Sequence, residues 1–211
     1  MTENTFVMSA PIVRIPVDKA QFAVLDIETT GLAPWGGDRI LEVSIVRVDA
    51  HGTMLDTFST AINPCRTFET GAIHGVTPRM VQDAPTFGEI AGTIYEKLSD
   101  AFVVAHNAKF DVGFMESEFR RLDVRFEPPA ICTMLLRART GLPGERMHKL
   151  GWACEQSGVA CDSPRNTYTD AQACAGILIH YLALLQTQGV RFLGHDCKPL
   201  TGWPDLRQRK S

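Results

Sequence analysis

The chain has 211 residues, 45% of them hydrophobic and 21% charged, which suits one globular domain with a substantial core. Its formal charge of −3 lacks the basic surplus typical of nucleic-acid-binding proteins, although bound divalent cations would offset that deficit. The six cysteines contain no C-x-x-C pair, which disfavours a zinc site and indicates reduced thiols. Without a basic leader or a long apolar run, the sequence predicts a cytoplasmic protein.

Strands are predicted to dominate the first part of the chain. Residues 1–19 are expected to form an extended arm, and the near-continuous apolar run at 22–28 is typical of a central strand covered on both faces. Two further strands are expected at 39–48 and 53–62, joined by a hairpin turn at Asp49–Gly52. These segments predict the antiparallel part of a sheet.

Helices alternate with strands in the remainder. Thr86 and Glu89 form a capping box that opens a helix ending near Leu98, and a buried strand follows at 101–105. Such alternation predicts an α/β fold in which helices flank a mixed sheet. The other helices are expected at 107–122, 133–139, 148–157 and 168–187. Asn107 is the expected cap of the first of these, and Thr167-x-x-Asp170 is a second capping pattern at the start of the last.

Acidic residues stand at the ends of three separate elements. Asp26 and Glu28 project from the same face of the apolar strand, because side chains two residues apart in a strand share a face. Asp111 falls in the first turn of the helix that follows the strand at 101–105, and Asp170 in the first turn of the last helix. Each has a simpler explanation: solvent contact for the strand acids, the helix dipole for Asp111 and capping for Asp170.

Together these acids predict a metal site. Oxygen ligands without cysteine or histidine suit Mg²⁺ or Mn²⁺. Two such ions about 3.5–4 Å apart can stabilise both the attacking and the leaving oxygen of a phosphoryl displacement.

The motifs that contain these acids resemble those of one enzyme family. Asp26-Ile-Glu-Thr-Thr-Gly31 resembles the first motif of the DnaQ-like DEDD exonucleases, the family of the proofreading epsilon subunit of bacterial DNA polymerase III. His106-Asn-Ala-Lys-Phe-Asp111 resembles the second motif, and Asp170 falls where the third motif ends. The stretches 72–87 and 131–138 are also similar to the family, so the resemblance spans about residues 20–187.

The resemblance implies a ribonuclease-H-like fold and two bound Mg²⁺ or Mn²⁺ ions. It also implies that the enzyme releases nucleoside monophosphates from the free 3′ end of a nucleic acid, which is expected to be single-stranded. A polymerase is a possible partner. It also implies an exonuclease domain at 20–188 between the arm and a peripheral tail at 189–211. The implied metal ligands are Asp26, Glu28, Asp111 and Asp170, and the implied substrate contacts are Thr29, Thr30, Gly31, Leu32, His74 and Asn107. Core packing is an equal alternative for Leu32 and His74.

One position departs from the family pattern. The commonest branch has a histidine five residues before the last aspartate, where this chain has Arg165. A smaller branch has a tyrosine four before, where this chain has Asn166; Tyr168 fits neither pattern. A guanidinium stays protonated, so Arg165 cannot accept the proton that the histidine is expected to take from water.

Several interpretations of Arg165 remain open. The metal ions alone could activate water, at a cost of about 10²–10⁴-fold in general-base assistance. His106 or His148 could replace the missing base, or the site could bind a strand without much turnover. An introduced substitution is a further alternative, and Arg165 could contact a phosphate in every case.

Three classes of function therefore compete. A 3′→5′ exonuclease is favoured by the retention of all four acids, because a pure binder gains nothing from negative charges beside a phosphate backbone. A nucleic-acid-binding or protein-docking module on the same fold is favoured by Arg165. A metal-dependent phosphohydrolase for small molecules is the third class, and a length-dependent preference for single strands would separate it from the first.

Overall fold

The computed structural model describes residues 13–68, 75–142, 149–161 and 166–195. The strands are β1 (Val13–Pro16), β2 (Gln21–Thr29), β3 (Ile40–Asp49), β4 (Met54–Ala61), β5 (Phe102–Ala105), β6 (Ala130–Cys132) and β7 (Phe192–His195). The α-helices are α1 (Pro78–Val81), α2 (Phe87–Leu98), α3 (Ala108–Arg120), α4 (Thr133–Arg137), α5 (Leu150–Ser157) and α6 (Thr167–Thr187). Short 3₁₀ helices occupy Val17–Lys19 and Pro34–Gly36. The predicted strands and helices are all present, with ends shifted by a few residues.

The central feature is a mixed five-stranded sheet with strand order β4-β3-β2-β5-β6. Strands β2, β3 and β4 form antiparallel pairs, whereas β2, β5 and β6 run parallel. The hairpin turn predicted at Asp49–Gly52 joins β3 to β4, and Gly52 adopts the positive φ of 84° that such a turn requires. The predicted α/β architecture with a mixed sheet is therefore confirmed.

Both faces of β2 are buried, which explains its near-continuous apolar sequence. Ala23, Leu25 and Ile27 belong to the core cluster that includes α2 and α3. Phe22 and Val24 belong to the opposite cluster, with α5 and α6. None of the helices in the described part of the chain has the length and apolarity needed to cross a membrane.

The described parts of the arm and the tail pair with each other. Strand β1 runs antiparallel to β7, with Ile15 opposite Leu193, and both of these side chains pack against the core cluster of α5 and α6. The sequence predicted an extended arm and a peripheral tail but not this pairing. Hydrophobic periodicity within a short segment does not identify a partner about 180 residues away.

The sequence predicts three helix caps, at Thr86, Asn107 and Thr167. The α2 capping box is confirmed, since the Thr86 amide donates to Glu89 Oε2 at 2.7 Å. The α6 prediction is wrong by one residue: the Thr169 amide donates to Asn166 Oδ1 at 2.9 Å, and Asn166 is the cap. Asp170 is therefore not the acid of a Thr167-x-x-Asp170 capping box. Asn107 occupies the N-cap position of α3, although its side chain makes no capping bond.

A buried ion pair joins the start of β3 to α3. Arg39 donates to both carboxylate oxygens of Glu118, at 2.7 Å from Nε and 2.9 Å from Nη2. The Glu118 side chain is only 2% exposed, and Arg39 Nη1 also donates to the Pro64 carbonyl at 3.0 Å. This bidentate geometry fixes the end of the long loop between β2 and β3.

Glu118→Ala should lower the free energy of unfolding by about 3 kcal/mol, because the Arg39 guanidinium would lose its carboxylate in a mostly buried site. Denaturant titration of the full chain measures the change. Glu127→Ala is the matched control: its pair with Arg125 is exposed, so we expect no measurable change. Equal effects of the two substitutions would contradict a stabilising role for the Arg39–Glu118 pair.

Candidate active site

Two of the predicted acids lie where β2 extends past its neighbour. The parallel pairing of β2 with β5 ends at Val24 opposite Val104, whereas β2 continues to Thr29. Asp26 and Glu28 are in this extension, and both are half-buried. The carboxyl ends of parallel strands are where open α/β sheets bind ligands.

Asp111 is brought to the same edge by α3. Its carboxyl is 5% exposed and accepts a hydrogen bond from the Ile27 amide of β2. The pKa of Asp111 is raised to about 7, mainly because the carboxyl is buried; the negative charge of Glu28 contributes to the increase, and the amide hydrogen bonds partly oppose it. A buried carboxyl beside a second acid fits a cation site, because a divalent ion would compensate both charges.

The start of α6 is anchored beside Asp26 and Glu28. Thr167 Oγ1 donates to Glu42 Oε1 at 2.7 Å and lies 2.7 Å from Ser44 Oγ. Ser44 and Glu42 of β3 are the cross-strand neighbours of Asp26 and Glu28 respectively. Cross-strand neighbours project from the same face of a sheet, so the first turn of α6 lies next to these acids.

Asp170 lies on the face of α6 that approaches the other acids. Thr167, Asp170 and Cys174 follow one another at spacings of three and four residues, which places them on one helix face. Burial raises the pKa of the Cys174 thiol, and the charges of Asp26 and Asp111 contribute to the increase. Asp170 therefore lies between two residues that are each close to the predicted metal ligands.

Glu28 lies near Asp111, and both Asp26 and Asp111 lie near Cys174, but these acids do not form a compact cluster. Among the described residues, no three Asp, Glu, His or Cys side chains are grouped closely enough to hold a metal ion as they stand. Mutual repulsion favours separated side-chain positions for carboxylates, and a bound cation would draw them together. The all-oxygen character of the set suits a hard divalent cation.

The loop after β2 is shaped by internal hydrogen bonds. The Thr30 amide donates to the Arg39 carbonyl at 2.9 Å, so this N–H is not available to a substrate. Thr29 Oγ1 donates to the Gly31 carbonyl at 2.6 Å, and Thr30 Oγ1 donates to Asp38 Oδ1 at 3.0 Å. A Cβ at Gly31 would collide with the Asp38 carboxylate, so a larger residue there would displace the group that accepts hydrogen bonds from Thr30 and Ala33.

The remaining predicted residues differ in what surrounds them. Leu32 is 82% exposed, so the core-packing alternative for this residue is wrong. Asn107 is exposed at the start of α3. His106 Nδ1 lies 2.9 Å from Thr133 Oγ1. Predictions for His74, Arg165 and His148 lie outside the described residues.

Sequence reasoning missed the polar residues that dock α6. Glu42 and Ser44 had a detectable signal, since they are spaced two apart among the apolar residues of the first half of β3. Thr133, which is fully buried and contacts both His106 and Cys174, had no comparable signal.

Comparison with known proteins identifies related chains. The RNase T family model, described as "Exonuclease", matches residues 23–178. The DNA polymerase III subunit epsilon of Pasteurella multocida is 35% identical over 164 residues, which cover 74% of this chain and 64% of that protein. A "DNA polymerase III subunit epsilon-like protein" of Rhodobacter capsulatus is 33% identical, with 85% of this chain and 26% of the relative covered. The Bacillus subtilis "3'-5' exonuclease DinG" is 28% identical, with 81% and 18% covered. The chain thus spans from under a fifth to just under two thirds of these relatives.

Solved structures give a matching result. Exonuclease X in complex with 5′ overhanging duplex DNA has a TM-score of 0.58 and 28% identity, with 80% of this chain and 93% of that chain covered. A structure of exonuclease I has a TM-score of 0.65 over 81% of this chain and 44% of its own, and its 16% identity shows the fold alone. The chain belongs to the RNase T exonuclease family and has the ribonuclease-H-like fold.

Proposed function

We propose that this chain is a 3′→5′ exonuclease that releases nucleoside monophosphates from the free 3′ end of single-stranded DNA or RNA. The observation that carries the proposal is the buried carboxyl of Asp111, which faces Glu28 at the edge where β2 extends past β5. Membership of the exonuclease family supports the same reaction.

In the proposed site, Asp26, Glu28, Asp111 and Asp170 hold two Mg²⁺ or Mn²⁺ ions. These ions would stabilise the negative charge that develops on the scissile phosphate. Asp26 and Glu28 are half-buried, so a phosphodiester can approach them from the edge of the sheet. Asp111 accepts the Ile27 amide and is thereby held against β2 in a fixed orientation.

The proposed substrate contacts surround these acids. The exposed Leu32 side chain would contact the terminal base, and the backbone of Thr29–Gly31 would face its sugar and phosphate. Asn107 would position the strand, since its side chain is exposed and not used as a helix cap. His74 would line the same cleft.

Assembly and context are also part of the proposal. Relatives named as subunits of DNA polymerase III support association with a polymerase. We propose an exonuclease domain at residues 20–188, flanked by the segments 1–19 and 189–211, whose strands β1 and β7 pair and pack against the core cluster of α5 and α6. We expect the protein to act in the cytoplasm.

Asp26→Asn should reduce digestion of a 5′-labelled single-stranded oligonucleotide by about 10³-fold or more, equivalent to roughly 4 kcal/mol of transition-state stabilisation. Gel analysis of products over time measures the rate. Asp100→Asn is the matched control, because Asp100 is exposed just before the start of β5, at the opposite edge of the sheet. A chelator should abolish wild-type digestion, and Mg²⁺ or Mn²⁺ should restore it; digestion that survives chelation would refute the metal dependence.

Asp111→Asn should raise the midpoint of thermal unfolding, measured in the presence of a chelator, by a few degrees. For a chain of this size, about 1 kcal/mol of added unfolding free energy raises the midpoint by roughly 2–4 °C. The amide keeps an acceptor for the Ile27 N–H and removes a buried charge that Glu28 repels. Added Mn²⁺ should raise the midpoint of the wild type but not that of Asp111→Asn. Equal Mn²⁺ shifts in the two proteins would exclude Asp111 as a ligand.

Arg165→His should raise the exonuclease rate by about 10²–10⁴-fold if a missing general base limits the reaction. Arg165→Gln is the control, because it removes the cation without adding a base. Single-turnover digestion of the same oligonucleotide compares the three proteins. An unchanged or lower rate in Arg165→His would reject the missing-base interpretation.

A further inference from the structure

An exposed aromatic residue lies just beyond the proposed site. Trp35 is 60% exposed in the 3₁₀ helix of the loop between β2 and β3, three residues after Leu32, which is 82% exposed. Such a pair of large apolar side chains is unusual on one short surface loop unless something covers it.

The loop that carries Trp35 is held firmly against α3. The Pro34 carbonyl accepts a hydrogen bond from Ser117 Oγ at 2.9 Å. Asp38 Oδ2 accepts the Ala33 amide at 3.0 Å, which closes the loop on itself. Because the backbone on both sides of Trp35 is fixed, little conformational entropy would be lost when a ligand covers the ring.

A cation accompanies the ring. The Arg120 guanidinium lies 5.6 Å from the centre of the Trp35 ring, within cation–π distance. An aromatic ring beside an arginine is the combination with which single-stranded nucleic acids are bound: the ring stacks on a base and the cation attracts the phosphate backbone.

The position along α3 sets the distance from the proposed site. Arg120 follows Asp111 by nine residues on the same helix, which corresponds to about 13 Å at roughly 1.5 Å per residue. Stacked nucleotides are spaced by about 3.4 Å along one strand, so a distance of this order spans a few nucleotides.

We propose that Trp35, with Arg120, binds a nucleobase a few nucleotides upstream of the 3′ end by stacking. This inference rests on the proposed exonuclease function and adds a subsite that holds the single strand. It makes strand length a determinant of affinity, since a substrate shorter than the separation cannot reach the ring.

The test measures KM and kcat for Trp35→Ala on single-stranded oligonucleotides that range from a dinucleotide to about 12 nucleotides. We expect KM for the longest substrate to rise about 5- to 150-fold with little change in kcat, and the dinucleotide to be affected least. Trp35→Phe should retain most of the affinity, because a phenyl ring still stacks. Met54→Ala should match the wild type; Met54 is 49% exposed and pairs with Val48 at the opposite edge of the sheet.

The outcomes separate this inference from the function on which it rests. If the wild type degrades the oligonucleotides and Trp35→Ala has the same KM at every length, the subsite is refuted and the exonuclease function stands. A fall in kcat that is equal at all lengths would also refute it, since it would indicate a structural role for the ring. If the wild type neither binds nor degrades any oligonucleotide with Mg²⁺ or Mn²⁺, the proposed function itself fails.

Discussion

The hydrogen bond between the Ile27 amide and the Asp111 carboxyl determines the geometry of the candidate site. Pairing between β2 and β5 stops at Val24, so the exposed edge of β2 beyond that point needs another partner. Helix α3 begins directly after β5 and supplies a carboxylate for that purpose. As a consequence, the Asp111 carboxyl is buried next to the negative charge of Glu28, and its pKa is raised. A bound cation would offset the repulsion between the two carboxylates.

Two polar side chains of β3, Glu42 and Ser44, determine where α6 begins, and α6 carries Asp170 in its first turn. Thr167 bonds to Glu42 and lies against Ser44, and this contact fixes where α6 starts. The one-residue shift of the cap to Asn166 has the same origin, because Thr167 is committed to β3 and is not available as a cap. Asp170 therefore plays no part in the cap.

The stability of the fold and the shape of the loop after β2 depend on the same contacts. The Arg39–Glu118 pair closes the loop after β2 and ties it to α3, the helix that also carries Asp111. Within this loop, Asp38 accepts hydrogen bonds from the Thr30 hydroxyl and the Ala33 amide, while the Leu32 side chain is exposed. A rigid loop of this kind can position an apolar side chain beside a reactive phosphate without an ordering cost at each turnover.

The sequence alone determined the central strands, the helices and the α/β class, and it marked four acids as candidate ligands. Those features depend on local periodicity and on residue types at fixed spacing, which short segments carry by themselves. Tertiary structure decided the pairing of β1 with β7, the cap of α6, the exposure of Leu32 and the Arg39–Glu118 pair, whose members are 79 residues apart. Each of these depends on which distant group occupies the neighbouring space, and the local sequence contains no record of that partner.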